Sequence, residues 1–381
     1  MTRTKAQRQV RICHIITGLH QGGAEKLLWK LVAQSSRDKQ RHHVIALRSG
    51  GNIFEEMKRQ GLSVTTISLD YIGDGPRGML ELIRILRRRR PDIVQTWLYH
   101  ADLLGGLAAR AAFVPRIVWG LHNERLPDDV PTSTRAVFAA CRSLAAVIPT
   151  QIISCSHRGA QNHIAAGYPA ERMRVIENGV DADRFSLKTT KREQTRASWN
   201  VDDQNFVIGF PARLSPEKGH RNFFDAVRRV RQRIPGLRLV LCGRETGEAS
   251  ERLTGWLDEF GLDSVTIRLG PFSEMPSFYA ASDLVCSASS SEAMPLTILE
   301  ALACEKAVVA TDVGDVARVL KGIGNVVPPG NPEALGHALL EVFQETAEER
   351  QRRGQRGRRL VERSYTLRTC LESYMQLYAE K

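Results

Sequence analysis

Short apolar runs rich in Val and Ile alternate with longer amphipathic stretches along the whole chain. The runs are VRICHII, HHVIAL, SVTTIS, DIVQTW, RIVWGL and QIISC in the first half, then NFVIGF, LRLVLC, VTIRLG, DLVCSA and AVVAT. Most are apolar throughout, as expected of strands covered on both faces, and helical patterns such as HRNFFDAVRRVRQRI lie between them. This alternation predicts an α/β protein with parallel, doubly wound sheets, and the runs are too many for one compact sheet. Two α/β domains in tandem fit the pattern best.

The polar stretch near 183–203, DRFSLKTTKREQTRASWNVDDQ, contains no buried strand and predicts the domain boundary. The closing SYTLRTCLESYMQLYAEK predicts a final amphipathic helix. Because ligands of such domains bind at the carboxyl ends of the strands, candidate site residues are those that directly follow a strand.

The composition of the 381 residues, 42% hydrophobic and 25% charged, is typical of a soluble globular protein. No apolar run reaches the roughly 20 residues that span a bilayer, and the basic N-terminus lacks a signal-like cleavage region. The seven cysteines are scattered without a CxxC pair. They predict buried, reduced thiols in a cytoplasmic protein, and their spacing does not favour zinc.

The net charge of +12 concentrates in RRRR at 87–90 and RQRRGQRGRR at 350–359. A basic face binds nucleic acid or an anionic membrane surface, and solvated helix ends explain each cluster equally well. The sequence contains no aromatic-rich platform or recognition helix beside these clusters, so no nucleic acid is expected.

Two candidate motifs follow strands of the first half. Gly22 and Gly23 of TGLHQGGAEK allow close backbone approach to an anion at a helix N-terminus; a plain tight turn is an equal alternative. His122 of WGLHNE ends the strand predicted at 116–121, where it either contacts a substrate hydroxyl or is satisfied by nearby backbone. His100 raises the same question.

The loop GFPARLSPEKGH, 209–220, presents Arg213 and Lys218 just after a strand. A guanidinium grips two oxygens and an ammonium supplies a point charge, so the pair suits a diphosphate. A surface loop with ordinary charges is the alternative.

The segment SSSEAMPLTILEALACEKAVVATDVG, 289–314, contains a helix that Pro295 starts and that ends near Cys304. Free amides at its N-terminus form a second anion site. The residues expected at this end are Ala293, Met294, Leu296 and Thr297.

Two carboxylates, Glu292 and Glu300, lie in this otherwise apolar context, where they are costly unless polar groups meet them. A nucleoside diphosphate sugar would satisfy both. Its ribose diol would donate to Glu300 and a sugar hydroxyl to Glu292, while its phosphates meet the amides and the two cations. Unrelated, exposed helix-end acids are the alternative, which does not explain the apolar context.

These residues resemble a known family. EAMPLTILE followed by EALACEKAVVATDVG is similar to the E-x7-E signature of retaining glycosyltransferases of family 4, which have the GT-B fold. The resemblance extends over nearly the whole chain. It includes GGAEK at 22–26, ENGVDADRF at 177–185, ARLSPEKG at 212–219 and VVPPGNPEAL at 326–335.

The resemblance implies two Rossmann-like domains that face a cleft, with the closing helix crossing back to the first. The implied acceptor domain is 1–185 plus helix 366–381, and the implied nucleotide-sugar domain is 186–365. Glu300 would hold the ribose, Glu292 and His122 the sugar, and Arg213 and Lys218 the diphosphate. No metal is expected, because cations and helix dipoles stabilise the leaving group. DAD at 181–183 lies inside the N-G-V-D turn and is rejected as a ligand pair.

The resemblance further implies a UDP-sugar donor and a lipid-linked or polysaccharide acceptor of a bacterial surface glycan. The enzyme would be cytoplasmic and held on the inner face of the membrane by its basic clusters. Ala293 and Asp315 depart from the family pattern beside the sugar site and leave the donor open, whereas Glu305, Ala307 and Arg318 depart from it elsewhere.

Retention is expected to proceed by attack of the acceptor on the face from which the diphosphate leaves. Three other functions stay open. They are a nucleotide-sugar epimerase or hydrolase of the same fold, a basic nucleic-acid-binding protein, and a non-catalytic nucleotide-binding member.

Overall fold

The computed structural model describes residues 9–20, 22–35, 40–67, 69, 75–126, 130–189 and 191–380. Residues 1–8, at the basic N-terminus, and Gln21, in the glycine loop, lie outside this set. The chain divides into two units, Met1–Glu177 with Leu371–Lys381, and Asn178–Cys370. The sequence-based boundary follows residue 185.

The first unit is built on a parallel sheet of seven strands in the order β3-β2-β1-β4-β5-β6-β7. These strands are β1 (Val10–Ile16), β2 (Gln40–Ala46), β3 (Val64–Thr66), β4 (Ile93–Trp97), β5 (Arg116–Leu121), β6 (Gln151–Ser154) and β7 (Met173–Val175). The helices between them are α1 (Gly23–Ser35), α2 (Asn52–Arg59), α3 (Gly75–Arg89), α4 (Tyr99–Ala111), α5 (Thr132–Leu144) and α6 (His157–Ala165).

The second unit contains a parallel sheet of six strands in the order β10-β9-β8-β11-β12-β13. Its strands are β8 (Phe206–Pro211), β9 (Leu237–Cys242), β10 (Thr266–Gly270), β11 (Leu284–Ser287), β12 (Ala307–Thr311) and β13 (Asn325–Val327). Its helices are α7 (Arg192–Ser198), α8 (His220–Val230), α9 (Glu251–Phe260), α10 (Met275–Ala281), α11 (Leu296–Ala303), α12 (Val316–Val319), α13 (Pro332–Gln344) and α14 (Ala347–Ser364). The last helix of the chain is α15 (Leu367–Ala379).

The near-continuous apolar strands follow from helices on both faces of each sheet. In the second unit one core joins the sheet to α8, α9 and α13, and a second core joins its other face to α10, α11 and α14. Every run predicted as a strand forms one, so the doubly wound α/β class is confirmed. The short strands β7 and β13 are additional.

The end of the chain packs within the first unit. Arg116, at the start of β5, donates to the carbonyl of Leu377 at 2.9 Å, and the Tyr378 hydroxyl donates to the buried Gln95 on β4 at 2.6 Å. The closing helix therefore returns to the first unit, as the family resemblance implied. All seven cysteines are buried free thiols. Among the described residues, no helix combines the length and apolar character that crossing a membrane requires.

Candidate functional site

The order of the second sheet brings together two loops that are far apart in sequence. Because β8 and β11 are hydrogen-bonded neighbours, the loops that leave their carboxyl ends lie side by side at the point where the strand order reverses. Crevices for ligands form at such points in open α/β sheets. The loop after β8 carries Arg213 and Lys218, and the loop after β11 carries Glu292.

Gly219 fixes how closely these loops approach. It ends a short 3-10 turn, Pro216–Lys218, with φ 67°, in the left-handed region. A Cβ on Gly219 would lie 2.0 Å from the Ala288 carbonyl oxygen in the neighbouring loop. The Ser290 amide donates to the Glu217 carbonyl at 2.9 Å, which joins the two loops through their backbones. Only glycine allows this contact.

Lys218 and Glu292 form an ion pair across the two loops, with side chains 21% and 16% exposed. The Ser289 hydroxyl donates to the same carboxylate oxygen, Oε1, at 2.9 Å. A small pocket is lined by this pair and by Thr297 from the start of α11. Three of the predicted site residues therefore surround one space, and the partner of the Glu292 carboxylate is a cation.

Arg213 lies on the same loop but is bound locally. Its guanidinium pairs with Glu217, and its Nε donates to the Ser215 hydroxyl at 3.2 Å. Partial burial raises the pKa of Glu217, but hydrogen bonds from Arg213 and Ser215 outweigh it, so the net direction is down. A ligand anion must compete with this carboxylate for Arg213.

Helix α11 begins at Leu296, with Pro295 as its N-cap, and ends at Ala303. The amides of Leu296 and Thr297 belong to its first turn and have no acceptor within the helix. The helix predicted to end near Cys304 therefore ends one residue earlier, at Ala303. Met294 precedes the cap, so its amide lies outside the helix.

The loop before α11 is fastened through its carbonyls. The Met294 carbonyl accepts from Asn178 Nδ2 at 3.1 Å, and the Ala293 carbonyl accepts from the Asp315 amide at 3.1 Å. A Cβ on Gly314 would lie within 2.2 Å of the Ala293 carbonyl oxygen. Gly314 is thus required for the loop to pack. The next residue, Asp315, stands where the family often has glycine.

Glu300 lies one turn into α11 and is half-buried. Its Oε2 accepts from the Tyr279 hydroxyl on α10 at 2.7 Å. Tyr279 is fully buried. Burial and the Glu300 charge raise the pKa of the Tyr279 hydroxyl well above its ordinary value. The tyrosine is therefore a fixed donor that orients the carboxylate.

In the first unit the glycine loop leads from β1 into α1, which begins at Gly23. The Gly22 carbonyl accepts from the Lys26 amide at 3.1 Å. A Cβ on Gly22 would meet the flexible Glu25 side chain rather than backbone. The local contacts are those of an ordinary helix entry.

His122 follows β5 as predicted, and its ring stacks on Trp97 with centroids 4.9 Å apart. Burial lowers its pKa to about 4, so the ring is neutral at pH 7. Its buried Nε2 has no hydrogen-bond partner in the described part of the chain, so backbone does not satisfy this nitrogen. Burial and Arg48 also lower the pKa of His100.

A buried carboxyl group supports β5, the strand that precedes His122. Asp102 Oδ1 accepts from the Thr96 hydroxyl at 2.5 Å and from the Gly120 amide at 3.2 Å. Burial raises the pKa of Asp102 to about 8. The two hydrogen bonds to Asp102 tie α4 to the end of β5.

Sequence reasoning missed the residues that position the predicted ones. These are Tyr279 beside Glu300, Ser289 beside Glu292, Glu217 beside Arg213, and Asn178 beside Met294. Asn178, Ser289 and Glu217 lie in stretches that the sequence analysis singled out, whereas Tyr279 lies in none of them. Asp181 of the N-G-V-D turn caps the Arg184 amide at 3.1 Å.

Two doubly wound α/β units in one chain have the architecture of proteins with the GT-B fold. The family pattern described as "Glycosyl transferases group 1" matches residues 191–360, and that of "Glycosyltransferase Family 4" matches residues 21–184. The chain belongs to the group 1, or family 4, glycosyltransferases.

Relatives and solved structures agree with this membership. The UDP-Gal:alpha-D-GlcNAc-diphosphoundecaprenol alpha-1,3-galactosyltransferase of Escherichia coli is 28% identical over 59% of this chain and 59% of its own length. A D-inositol 3-phosphate glycosyltransferase of Corynebacterium jeikeium is 32% identical over 46% of each chain. The chain thus matches about half the length of these curated relatives.

The solved structure of Anabaena HepE in complex with UDP has a TM-score of 0.84 at 22% identity, covering 97% of this chain and 100% of that one. HepE with UDP-glucose gives the same TM-score at 21% identity, with 97% and 99% covered. At these identities the likeness supports the GT-B fold.

Proposed function

We propose that the chain is a retaining glycosyltransferase that moves a hexose or N-acetylhexosamine from a UDP-sugar to a lipid-linked or polysaccharide acceptor. The observation that carries the proposal is the Lys218–Glu292 pair at the N-terminus of α11. It sets a cation for a diphosphate directly beside a carboxylate for a sugar. The UDP and UDP-glucose bound by HepE, and the UDP-Gal named for the E. coli relative, support uracil as the base of the donor.

In the proposed complex the diphosphate lies on the amides of Leu296 and Thr297 and between Lys218 and Arg213. Arg213 leaves Glu217 to reach it. Arg213 can bind two phosphate oxygens at once through charge-assisted hydrogen bonds, whereas Lys218 supplies a point charge. These cations neutralise the charge that grows on the leaving group. We therefore propose that the transfer needs no metal.

The two carboxylates take different parts of the donor. Glu300, held through Oε2 by Tyr279, accepts hydrogen bonds from the ribose diol. Glu292 accepts from a hydroxyl of the transferred sugar, with its Oε1 already bound by Lys218 and Ser289. We assign three residues of the first unit, His122, Gly22 and Gly23, to the sugar and phosphate side of the donor. Their placement toward the donor is part of the proposal.

For the chemistry we propose same-face attack by the acceptor hydroxyl, with the leaving phosphate taking its proton. An ion-paired carboxylate is a poor nucleophile, because the ammonium withdraws the charge that attack on the sugar carbon requires. The pairing of Glu292 with Lys218 therefore supports its role as a hydrogen-bond acceptor. Isolation of a glycosyl adduct on Glu292 would contradict this mechanism.

The acceptor is proposed to be lipid-linked, as for the E. coli relative whose name includes a diphosphoundecaprenol acceptor. Such an acceptor would place the enzyme in bacterial surface-glycan synthesis, at the cytoplasmic face of the membrane. The first unit would carry the acceptor site and the second unit the donor site.

The test is thermal unfolding of wild type and Glu300→Ala in the presence of UDP, GDP and ADP. A nucleotide at 100 times its dissociation constant adds about 2.7 kcal/mol of stability. We expect UDP alone to raise the midpoint, and Glu300→Ala to remove the rise. Glu341→Ala is the matched control, since its carboxylate accepts from Asn325 at 2.9 Å elsewhere in the same unit. No shift with any nucleotide would refute the donor site.

Donor turnover separates the remaining functions. Release of UDP from a UDP-sugar only when a sugar-diphosphopolyprenol acceptor is present supports the transferase. Turnover without acceptor would identify an epimerase or hydrolase. Nucleotide binding without turnover under either condition would identify a non-catalytic member.

A further inference from the structure

Phe113 is the most exposed large apolar side chain in the described ranges, at 86%. It follows α4 in the connection to β5. Leaving an aromatic ring in water forgoes a hydrophobic gain, although single exposed apolar residues are common. The conformation and surroundings of this one distinguish it.

The backbone of Phe113 has φ 57°, in the left-handed region that glycine favours and bulky residues avoid. Its amide donates to the Arg110 carbonyl at 3.0 Å, and the next amide, of Val114, donates to Ala109 at 3.0 Å. These bonds close the helix and hold the ring outward. Phe113 thus takes a conformation that glycine would adopt at lower cost, and its ring packs against little in return.

Arginines lie near Phe113 in the fold. Arg87 donates to the Ala111 carbonyl at 3.0 Å, and both Arg87 and Arg90 line the same depression as Phe113. Arg110 donates to the carbonyl of Val147, whose side chain is 59% exposed. Guanidinium groups and apolar side chains therefore share one surface of the first unit.

Acidic residues are scarce there. The chain contains no Asp or Glu from 103 to 123, from 130 to 170 or from 82 to 91. Asp92 lines the depression, and it is paired with Arg11 at 3.5 Å. The positive charge of the surface thus stays largely uncompensated by its own segments.

We propose that Phe113, Val147, Arg87, Arg90 and Arg110, together the Phe113 surface, dock on an anionic phospholipid membrane. The guanidiniums would bind lipid phosphates, and the ring would enter the boundary between headgroups and acyl chains, as aromatic anchors do. The choice of partner rests on the lipid-linked acceptor of the proposed function.

The second basic cluster, on α14, lacks these features. Two of its arginines are paired with flanking acids, in Arg353–Glu345 and Arg358–Glu362. No large apolar side chain of α14 is exposed. Of the two clusters noted in the sequence, the structure favours 87–90 for the membrane.

The experiment measures co-flotation of the full chain with vesicles of phosphatidylcholine, with and without 30% phosphatidylglycerol, at low salt. Phe113→Ser should weaken partitioning into anionic vesicles about tenfold. Arg87→Gln with Arg90→Gln should weaken it about 30-fold, and 0.5 M salt should abolish this second difference. The matched controls, Leu187→Ser and Arg356→Gln with Arg359→Gln, should leave it within about twofold of wild type.

Three results would overturn the proposal. They are equal flotation with neutral and anionic vesicles, loss of binding in the α14 variant but not in the Phe113-surface variants, and salt-sensitive binding to DNA in place of vesicles. Flotation is repeated with 10 mM inorganic phosphate. If the arginines form a site for free phosphate, the added phosphate would block vesicle binding, whereas docking on a membrane surface would persist. Flotation is measured without nucleotide, so the docking surface and the donor site are tested separately. If UDP stabilises the protein but the protein does not bind vesicles, only the docking surface is refuted. All variants must retain the UDP response of wild type.

Discussion

The hydrogen bond between Tyr279 and Glu300 allows a quantitative prediction. Tyr279 has no exposed surface, and its hydroxyl donates to the carboxylate at 2.7 Å. Glu300→Ala leaves this buried hydroxyl without its acceptor, which costs about 1–3 kcal/mol. Tyr279→Phe removes the hydroxyl, so Glu300→Ala should be less costly in that background. For a charge-assisted bond we expect a coupling free energy of about 1.5–3 kcal/mol.

The assay is a double-mutant cycle in the absence of nucleotide, with unfolding followed by calorimetry. For a unit of this size, 1 kcal/mol corresponds to about 2–4 °C in the midpoint. Glu300→Gln is the matched variant, since its amide oxygen still accepts from the tyrosine and should recover most of the stability. Each variant is then titrated with UDP.

The reasoning also predicts the effect on binding. Tyr279→Phe keeps the carboxylate but frees it to rotate, so UDP affinity should fall less than in Glu300→Ala. A coupling free energy below about 0.5 kcal/mol would refute the positioning role of Tyr279, because unlinked mutations add within that limit. Equal losses of UDP affinity in the two single variants would do the same.

Three further predictions concern other parts of the molecule. Lys218→Met leaves Glu292 without its cation and should weaken UDP binding by roughly ten- to a hundredfold in calorimetric titration; unchanged affinity would exclude Lys218 from the diphosphate site. Gly219→Ala, whose Cβ would lie 2.0 Å from a carbonyl oxygen, should lower the free energy of unfolding by roughly 3 kcal/mol. Gly330→Ala has φ +71° and no atom within 4 Å, so it should cost only about 1 kcal/mol, and equal losses would contradict the close approach. Asp102 has a pKa raised by burial from 3.8 to about 8, so in this window the unfolded chain releases a proton that the folded chain keeps. Stability should therefore fall by about 1.4 kcal/mol per pH unit as pH rises, and in Asp102→Asn this component should be absent when unfolding is compared at pH 5 and pH 7; parallel curves would contradict it.

The sequence alone determined the elements and the chemical types at the site. Strands buried on both faces must be apolar along their length, so runs such as AVVAT and RIVWGL were readable without any partner. The strands β7 and β13 were not, because the apolar runs around them are too short to show a period, whereas the equally short β3 lies in the longer run SVTTIS. Arg213 and Lys218 stood out because they lie just after a strand, and Glu292 and Glu300 because they are carboxylates in an otherwise apolar segment.

Only the tertiary structure decided which of these groups touch. Lys218 and Glu292 are 74 residues apart, and Tyr279 and Glu300 are 21 apart, so no local pattern links them. Their contacts depend on β11 pairing with β8 rather than continuing beyond β10. That order is set by how helices cover both faces of the sheet, a property of the whole unit. Residues whose role is to orient others, such as Tyr279 and Ser289, are therefore visible only once the chain is folded.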